Sequence, residues 1–246
     1  MVVKMTLRQI RKSLGRFFAI AAIVALGIGF FCGLRLTKSA MLHTLDRYLS
    51  DHRFYDFALY SSVGFDSQAA ERIAAQDGVD ACEGSKSLDA LATMDGYPQA
   101  AYRFISLPQQ INTLELKQGR LPQNATECLA DAWTYTKEDL DKRVSVDDPQ
   151  IGLAAQKYTV VGLVKSPLYL NNERGSTSVG TGTLTGFFYL PKDAFLDDYD
   201  TTLYVTLTGA HGSVYSAAYR DSVDAARTQV TELAAQEAQQ RAAKFG

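Results

Sequence analysis

Residues that carry chemistry are scarce in this chain. Of its 246 residues three are histidine and three are cysteine. His43, His52 and His211 stand far apart in segments that read as helical stalk or loop, so they are expected to be solvated. Cys32 lies inside a long apolar run, which leaves Cys82 and Cys128 as the one pair able to bridge outside it. Their spacing fits no metal motif, and buried free thiols are the expected state. The patterns H-E-x-x-H, G-x-S-x-G, C-x-x-C and G-x-x-x-x-G-K-[ST] are all missing, which removes the enzyme classes that rest on them. Asp139/Asp141, Asp147/Asp148 and Asp197/Asp198/Asp200 lack the spacing and the glycine of a calcium loop and read as solvated charges. No catalytic, cofactor-binding or metal-ligating residue is therefore assigned, and no cofactor is expected.

A second absence is positional: no acid precedes Asp46, whereas Lys4, Arg8, Arg11, Lys12 and Arg16 all do. Between Arg16 and Arg35 runs FFAIAAIVALGIGFFCGL, Phe17 to Leu34, without a charge. At about 1.5 Å per residue it reaches roughly 27 Å, the thickness of a bilayer's hydrocarbon, and its Leu, Ile, Val and Phe content makes insertion favourable by a few kcal/mol. A cleaved signal peptide fits less well, because Lys38-Ser39-Ala40 puts lysine at the −3 position of the first small-residue site. The charge bias places the N-terminus in the cytoplasm and everything after Leu34 outside. Thr6 can cap a short basic amphipathic helix, with Leu7, Ile10, Leu14 and Phe17 on one side and Arg8, Arg11 and Lys12 on the other, and Gly15 allows a bend where it meets the span. Arg8, Arg11, Lys12 and Arg16 thus flank the membrane. Ala21, Ala25, Gly29 and Gly33 form a small-residue stripe suited to close packing against other membrane helices, none of which this sequence supplies.

Outside the span 20 basic residues face all 27 acidic ones, a net −7. Such an ectodomain is a poor partner for nucleic acid. Leu42, Leu45 and Leu49 keep helical spacing to about Asp51, predicting that the membrane helix continues outward as a stalk. Phe54 to Ser61 reads as a strand, and Asp66-Ser67 caps a helix through Ile73 that stops at Asp77-Gly78. Val79 to Thr93 and Gln99 to Leu107 read as strands, and Gly119 and Pro122 bracket a turn before a strand at Glu127 to Ala130. Thr136 with Asp139 makes a capping box, predicting a helix near Lys137 to Arg143. Tyr158 to Lys165, Gly186 to Leu190 and Thr201 to Leu207 read as buried strands. The glycine-rich segment Asn171 to Thr185 reads as an exposed hairpin loop. From Ser213 to Phe245 there is no Gly or Pro, and Tyr219, Val223, Ala226, Val230 and Leu233 recur at steps of four and three, predicting a long terminal helix.

Five segments, in this order, carry a resemblance. LRQIRKSLGRFFAIAAIVALGIGFFCGL is similar to the first membrane helix of FtsX-like (MacB-type) ABC transporter permeases, and GRLPQNATECLAD resembles their Gly-Arg-x-Pro...Glu turn. YTVVGLVKSPLYL, ERGSTSVGTG and GFFYLPKDAF resemble the strands that follow in the same family's extracytoplasmic core domain. The resemblance implies a permease subunit without an ATPase of its own. It would work with an ABC ATPase subunit and with further permease helices or a second permease copy, coupling ATP hydrolysis to movement of the extracytoplasmic domain. Family members have four or more spans where this sequence has one, which implies a part of a longer permease.

The expected organisation is a cytoplasmic basic segment at 1–16, a transmembrane helix at 17–35, a stalk helix at 36–52, a MacB-like core domain at 53–212 and a C-terminal stalk helix at 213–246. The fold class is α+β, with a ferredoxin-like layer and a smaller β-rich subdomain. A single-pass membrane-anchored sensor or binding module is the alternative reading, and an anchored enzyme the third.

Overall fold

The computed structural model describes residues 14–66, 68–148, 150–209 and 216–245. It divides into two compact units between Arg47 and Tyr48. Helix α1, Leu14–Asp51, is continuous across that division. In the first unit it exposes Phe18, Ile23, Leu26, Phe30 and Phe31 by 60 % or more each. An uncharged surface of that extent belongs in lipid or against other apolar helices rather than in water. Among the described residues α1 is the one helix long and apolar enough to cross a membrane. Gly15 lies in its first turn. The basic amphipathic segment predicted before it, with Arg8, Arg11 and Lys12, falls outside the described residues.

The second unit holds two sheets. The smaller has the order β1-β10-β2, built from β1 (Phe57–Phe65), β2 (Val79–Ser85) and β10 (Asp200–Leu207). Because β10 is antiparallel to both neighbours, β1, helix α2 (Ala69–Ala74) and β2 make a split β-α-β unit with β10 inserted. Helix α3, Ala217–Phe245, sets Val223, Val230 and Ala234 against Phe57, Leu59, Leu203 and Val205. Of the predicted apolar stripe, Val223 and Val230 are buried against this layer and Tyr219 and Leu233 partly so. Asp66, expected to cap α2, does not hold the N-cap: Gln68 stands there without a side-chain cap bond, and Asp66 Oδ1 accepts the Gln68 N–H at 2.9 Å just ahead of the helix.

The larger sheet contains β3 (Ser87–Met94), β4 (Ala100–Ser106), β5 (Glu115–Gly119), β6 (Glu127–Asp131), β7 (Arg143–Val146), β8 (Lys157–Lys165) and β9 (Gly186–Leu190). Its order is β5-β8-β6-β9-β4-β3-β7, and β7 pairs back onto β8. Six strands thus close into a barrel, and β5 extends the edge of β8 beyond β7. Closure leaves no free edge there. Strand alternation divides the interior from the exterior: Phe188 and Leu190 join Tyr102, Phe104, Val144, Tyr158 and Val160 inside, while Phe187 and Tyr189 pack outside with Ile105, Leu129 and Val164.

Several expectations are corrected. Val79 to Thr93 is two strands, not one: the chain changes sheets at Lys86. The capping box of Thr136 and Asp139 is formed, yet it starts only a single 3-10 turn, Lys137–Asp139. Leu140 is extended and Asp141 takes φ 64°, so the chain leaves the turn directly into β7, where Val144 and Val146 alternate into the core. The segment Asn171 to Thr185 does not join paired strands, since β6 lies between β8 and β9, but it is mostly exposed and folds on itself through an antiparallel bridge of Ser176 with Thr183. The three-stranded layer lacks a fourth, ferredoxin-like strand among the described residues, and the β-rich part is the larger of the two.

Candidate functional site

The stripe Ala21, Ala25, Gly29 and Gly33 is exposed along α1, as is Arg16. A Cβ added at Gly29 or Gly33 would meet nothing within 4 Å, so these positions can accept a close-packed neighbour. Among the described residues no group of three or more His, Cys, Asp or Glu could hold a metal ion. Cys82 and Cys128 are free, as is Cys32. Burial pushes the Cys82 thiol up to about 12 and raises that of Cys128 as well, so both are poor nucleophiles.

The described polar groups converge instead where α1 ends. Arg53, at φ 46°, turns the chain out of the helix. The Phe54 N–H reaches the Leu49 carbonyl at 2.9 Å and the Arg53 N–H that of Ser50 at 3.0 Å. This is a Schellman motif with arginine where glycine is usual. The next residues grip three separate parts of the second unit. Toward the barrel, the Arg53 and His52 carbonyls accept the N–H groups of Asn112 (3.0 Å) and Thr113 (2.9 Å), and His52 Nδ1 lies 2.6 Å from the Thr113 carbonyl. Toward the layer, Arg53 Nη2 pairs with Asp80 at 2.8 Å and the Asp56 N–H reaches the Val205 carbonyl. Toward the terminal helix, Asp56 Oδ1 accepts the Tyr219 hydroxyl while its Oδ2 accepts the Leu207 N–H at 2.7 Å. Burial raises the Asp56 carboxyl above the ordinary carboxylate value, with the bonds from Tyr219 and Leu207 opposing, and burial together with Asp56 raises the Tyr219 hydroxyl.

His52, expected to be solvated, is thus half-buried and bonded, with its ring 4.5 Å from that of Tyr48. Asp139 is another correction, being buried and bonded to Tyr97, Thr136 and Lys142. Sequence reasoning also missed Asp131 and Arg174, a fully buried pair at 2.6 Å. Trp133 N–H and Thr134 Oγ1 donate to the same carboxylate, and Tyr169 and Phe187 flank the guanidinium. The pair fastens the glycine-rich segment to the end of β6. A single arginine among Gly, Ser and Thr was the one signal available.

No family model and no curated protein matches the chain. Among solved structures it is similar to the extracellular domain of the noncanonic ABC-type transporter YknZ from Gram-positive bacteria, at 14% identity and TM-score 0.41, covering 68% of this chain and 86% of that one. It is also similar to the periplasmic region of MacB from Actinobacillus actinomycetemcomitans, at 14% identity and TM-score 0.38, covering 68% and 75%.

Proposed function

We propose that the chain is the first membrane helix and extracytoplasmic domain of an FtsX/MacB-like ABC transporter permease, with its N-terminus in the cytoplasm. In this reading it is not an enzyme. An ABC ATPase subunit on the cytoplasmic side drives movement of α1, and the junction at residues 52–56 passes that movement to the layer, the barrel and α3. The observation that carries the reading is the continuity of α1 from Leu14 to Asp51, ending in a capped turn whose following residues bond three parts of the second unit. A lone anchor needs neither a helix continued well beyond the apolar run nor a rigidly bonded exit. The small-residue stripe fits further permease helices or a second permease copy in the bilayer.

The test is to purify the full chain in lipid nanodiscs with an ABC ATPase subunit and follow hydrogen exchange at Asn112 and Thr113 with and without ATP. Nucleotide-dependent exchange at these amides is the expected result. A chain that binds no ATPase, with exchange indifferent to ATP, would overturn the coupling role and leave a single-pass sensor or binding module.

A further inference from the structure

The second unit has separate hydrophobic cores. One contains only residues of β1, β2, β10, α2 and α3. The other two contain only residues between Leu88 and Phe195, all of the barrel and its loops. No buried apolar cluster of the described residues spans the two sheets, and Tyr204 of the layer meets Ile105, Ile111, Leu168 and Tyr189 of the barrel only around a small cleft, as in a contact between domains rather than a shared core.

The chain passes between layer and barrel twice, and the two passages touch. One is Lys86, the single residue between β2 and β3. The other is the approach to β10, from Asp197 to Thr201. Thr201 Oγ1 straddles Lys86: it accepts the Ser87 N–H at 3.0 Å and donates to the Ser85 carbonyl at 3.2 Å. Lys86 Nζ bonds the Asp197 carbonyl. Lys192 Nζ holds the Asp200 carboxylate at 3.0 Å and the Gly84 carbonyl at 3.3 Å. Gly84 has no room for a side chain, since a Cβ would fall 1.8 Å from Asp200 Oδ2. Both connections between layer and barrel therefore lie at one narrow point.

Glu83 lies just before that point, and its carboxylate crosses to the barrel, accepting the N–H groups of Gln109 (2.6 Å), Gln110 (2.8 Å) and Ile111 (2.7 Å). Behind this contact lies a small, partly open cleft of about 10 Å³, with Glu83, Ser85 and Tyr204 on one side and Ile105, Ser106, Ile111, Asn112, Leu168 and Tyr189 on the other. Asn112, only 2 % exposed, leaves its Nδ2 without a partner. An orphan donor costs stability in a finished core, and hydration in an opened arrangement removes that cost.

We infer that the layer and the barrel are two bodies that turn about the Lys86–Thr201 crossing, and that Glu83 is the latch that holds them closed. The carboxylate accepts three consecutive N–H groups of the barrel loop, so opening exchanges those bonds for water and frees Asn112 to hydrate.

The experiment uses the full chain in nanodiscs with Cys32 and Cys82 replaced by serine, and with spin labels at the exposed positions Glu71→Cys on the layer and Lys137→Cys on the barrel. Glu83→Gln, which keeps the shape but offers one acceptor in place of two, is expected to raise hydrogen exchange at Gln109, Gln110 and Ile111 at least tenfold and to add a second, separate distance between the labels. Exchange that rises with an unchanged single distance would reduce Glu83 to a loop cap and overturn the hinge. Unchanged exchange would overturn the latch. If Glu83→Gln does not fold, Glu83→Asp, one methylene shorter and still charged, is measured in the same two ways, and the same outcomes support or overturn the hinge and the latch.

Discussion

The hydroxyl of Tyr219, in the first turn of the terminal helix, donates to the carboxylate of Asp56, five residues past the end of α1. The same carboxylate receives the Leu207 N–H from the end of β10. One half-buried acid therefore fixes the exit of the first helix to the entry of the last. Tyr219→Phe should cost about 1.5 kcal/mol in urea unfolding, the scale of a hydrogen bond to a charged group. Because burial raises the folded-state pKa of Asp56, the folded protein binds this proton more tightly than the unfolded chain does. Its contribution is present below the ordinary carboxylate value and is lost as pH rises through the raised one. Asp56→Asn should remove that component, and Tyr219→Phe, by taking away a bond that lowers the pKa, should move it to higher pH.

Acid should act on the barrel in the opposite sense. Burial would raise Asp139, but the bonds from Lys142, the Thr136 N–H and Tyr97 overcome it and hold the carboxyl at about 2. The Arg120 fork, helped by the Gln123 N–H, holds Glu127 at about 2 as well. Both contributions are present above the ordinary values of 3.8 and 4.5 and disappear as pH falls toward 2. The urea midpoint should therefore drop between about pH 4.5 and pH 2. Asp139→Asn and Glu127→Gln should each flatten that drop, and an unaltered slope in both would show that neither group is linked to folding.

The sequence was legible where local pattern decides structure. The unbroken apolar run from Gly186 to Leu190 announces a buried strand, and the four-and-three spacing from Tyr219 to Leu233 announces the helix that packs on the layer. It was illegible where distant residues decide. The residues on either side of Lys86 look alike, and only their partners, Thr202 for Ser85 and Ile105 for Ser87, assign them to different sheets. Arg174 is buried because Asp131, 43 residues earlier, meets it, and nothing near either residue in the chain foretells the pairing. The capping box misled for a related reason: it satisfies one turn wherever it occurs, and the apolar repeat needed to extend a helix is not there.

Gly119 opens the Gly-Arg-x-Pro turn, and the structure gives a physical reason for glycine. Its φ is +77°, and a Cβ would fall 2.2 Å from the Val161 carbonyl oxygen and 2.7 Å from Gly162 Cα. Both obstacles are backbone of β8, so neither can rotate away. Gly119→Ala should cost at least about 2 kcal/mol, from strained φ and overpacking together, and should weaken β5 first. Urea unfolding checks the size, and hydrogen exchange along β5 checks the place.

Breaking the buried pair of Asp131 and Arg174 leaves one charge without its partner. Arg174→Met or Asp131→Asn alone should cost about 3 to 5 kcal/mol, and the double variant should cost less than the sum, because the stranded charge is gone. Additive losses in urea unfolding would show that the two residues stabilise the segment independently.

The stripe of Ala21, Ala25, Gly29 and Gly33 separates the permease reading from that of a lone anchor. In lipid, helices gain little from apolar burial as such, so association depends on how closely backbones approach, and glycine permits the closest approach. Gly29→Leu with Gly33→Leu adds side chains where the isolated chain has open space. Insertion should persist, since leucine is favourable by about 0.3 to 0.6 kcal/mol at the centre of a span. Association with partner membrane helices, or with a second copy, should weaken by roughly five- to tenfold, about 1 to 1.4 kcal/mol. Fluorescence energy transfer between labelled chains and candidate partners in nanodiscs measures this directly. Equal association for both forms would mean that this face meets lipid, and α1 would then serve the ectodomain as an anchor.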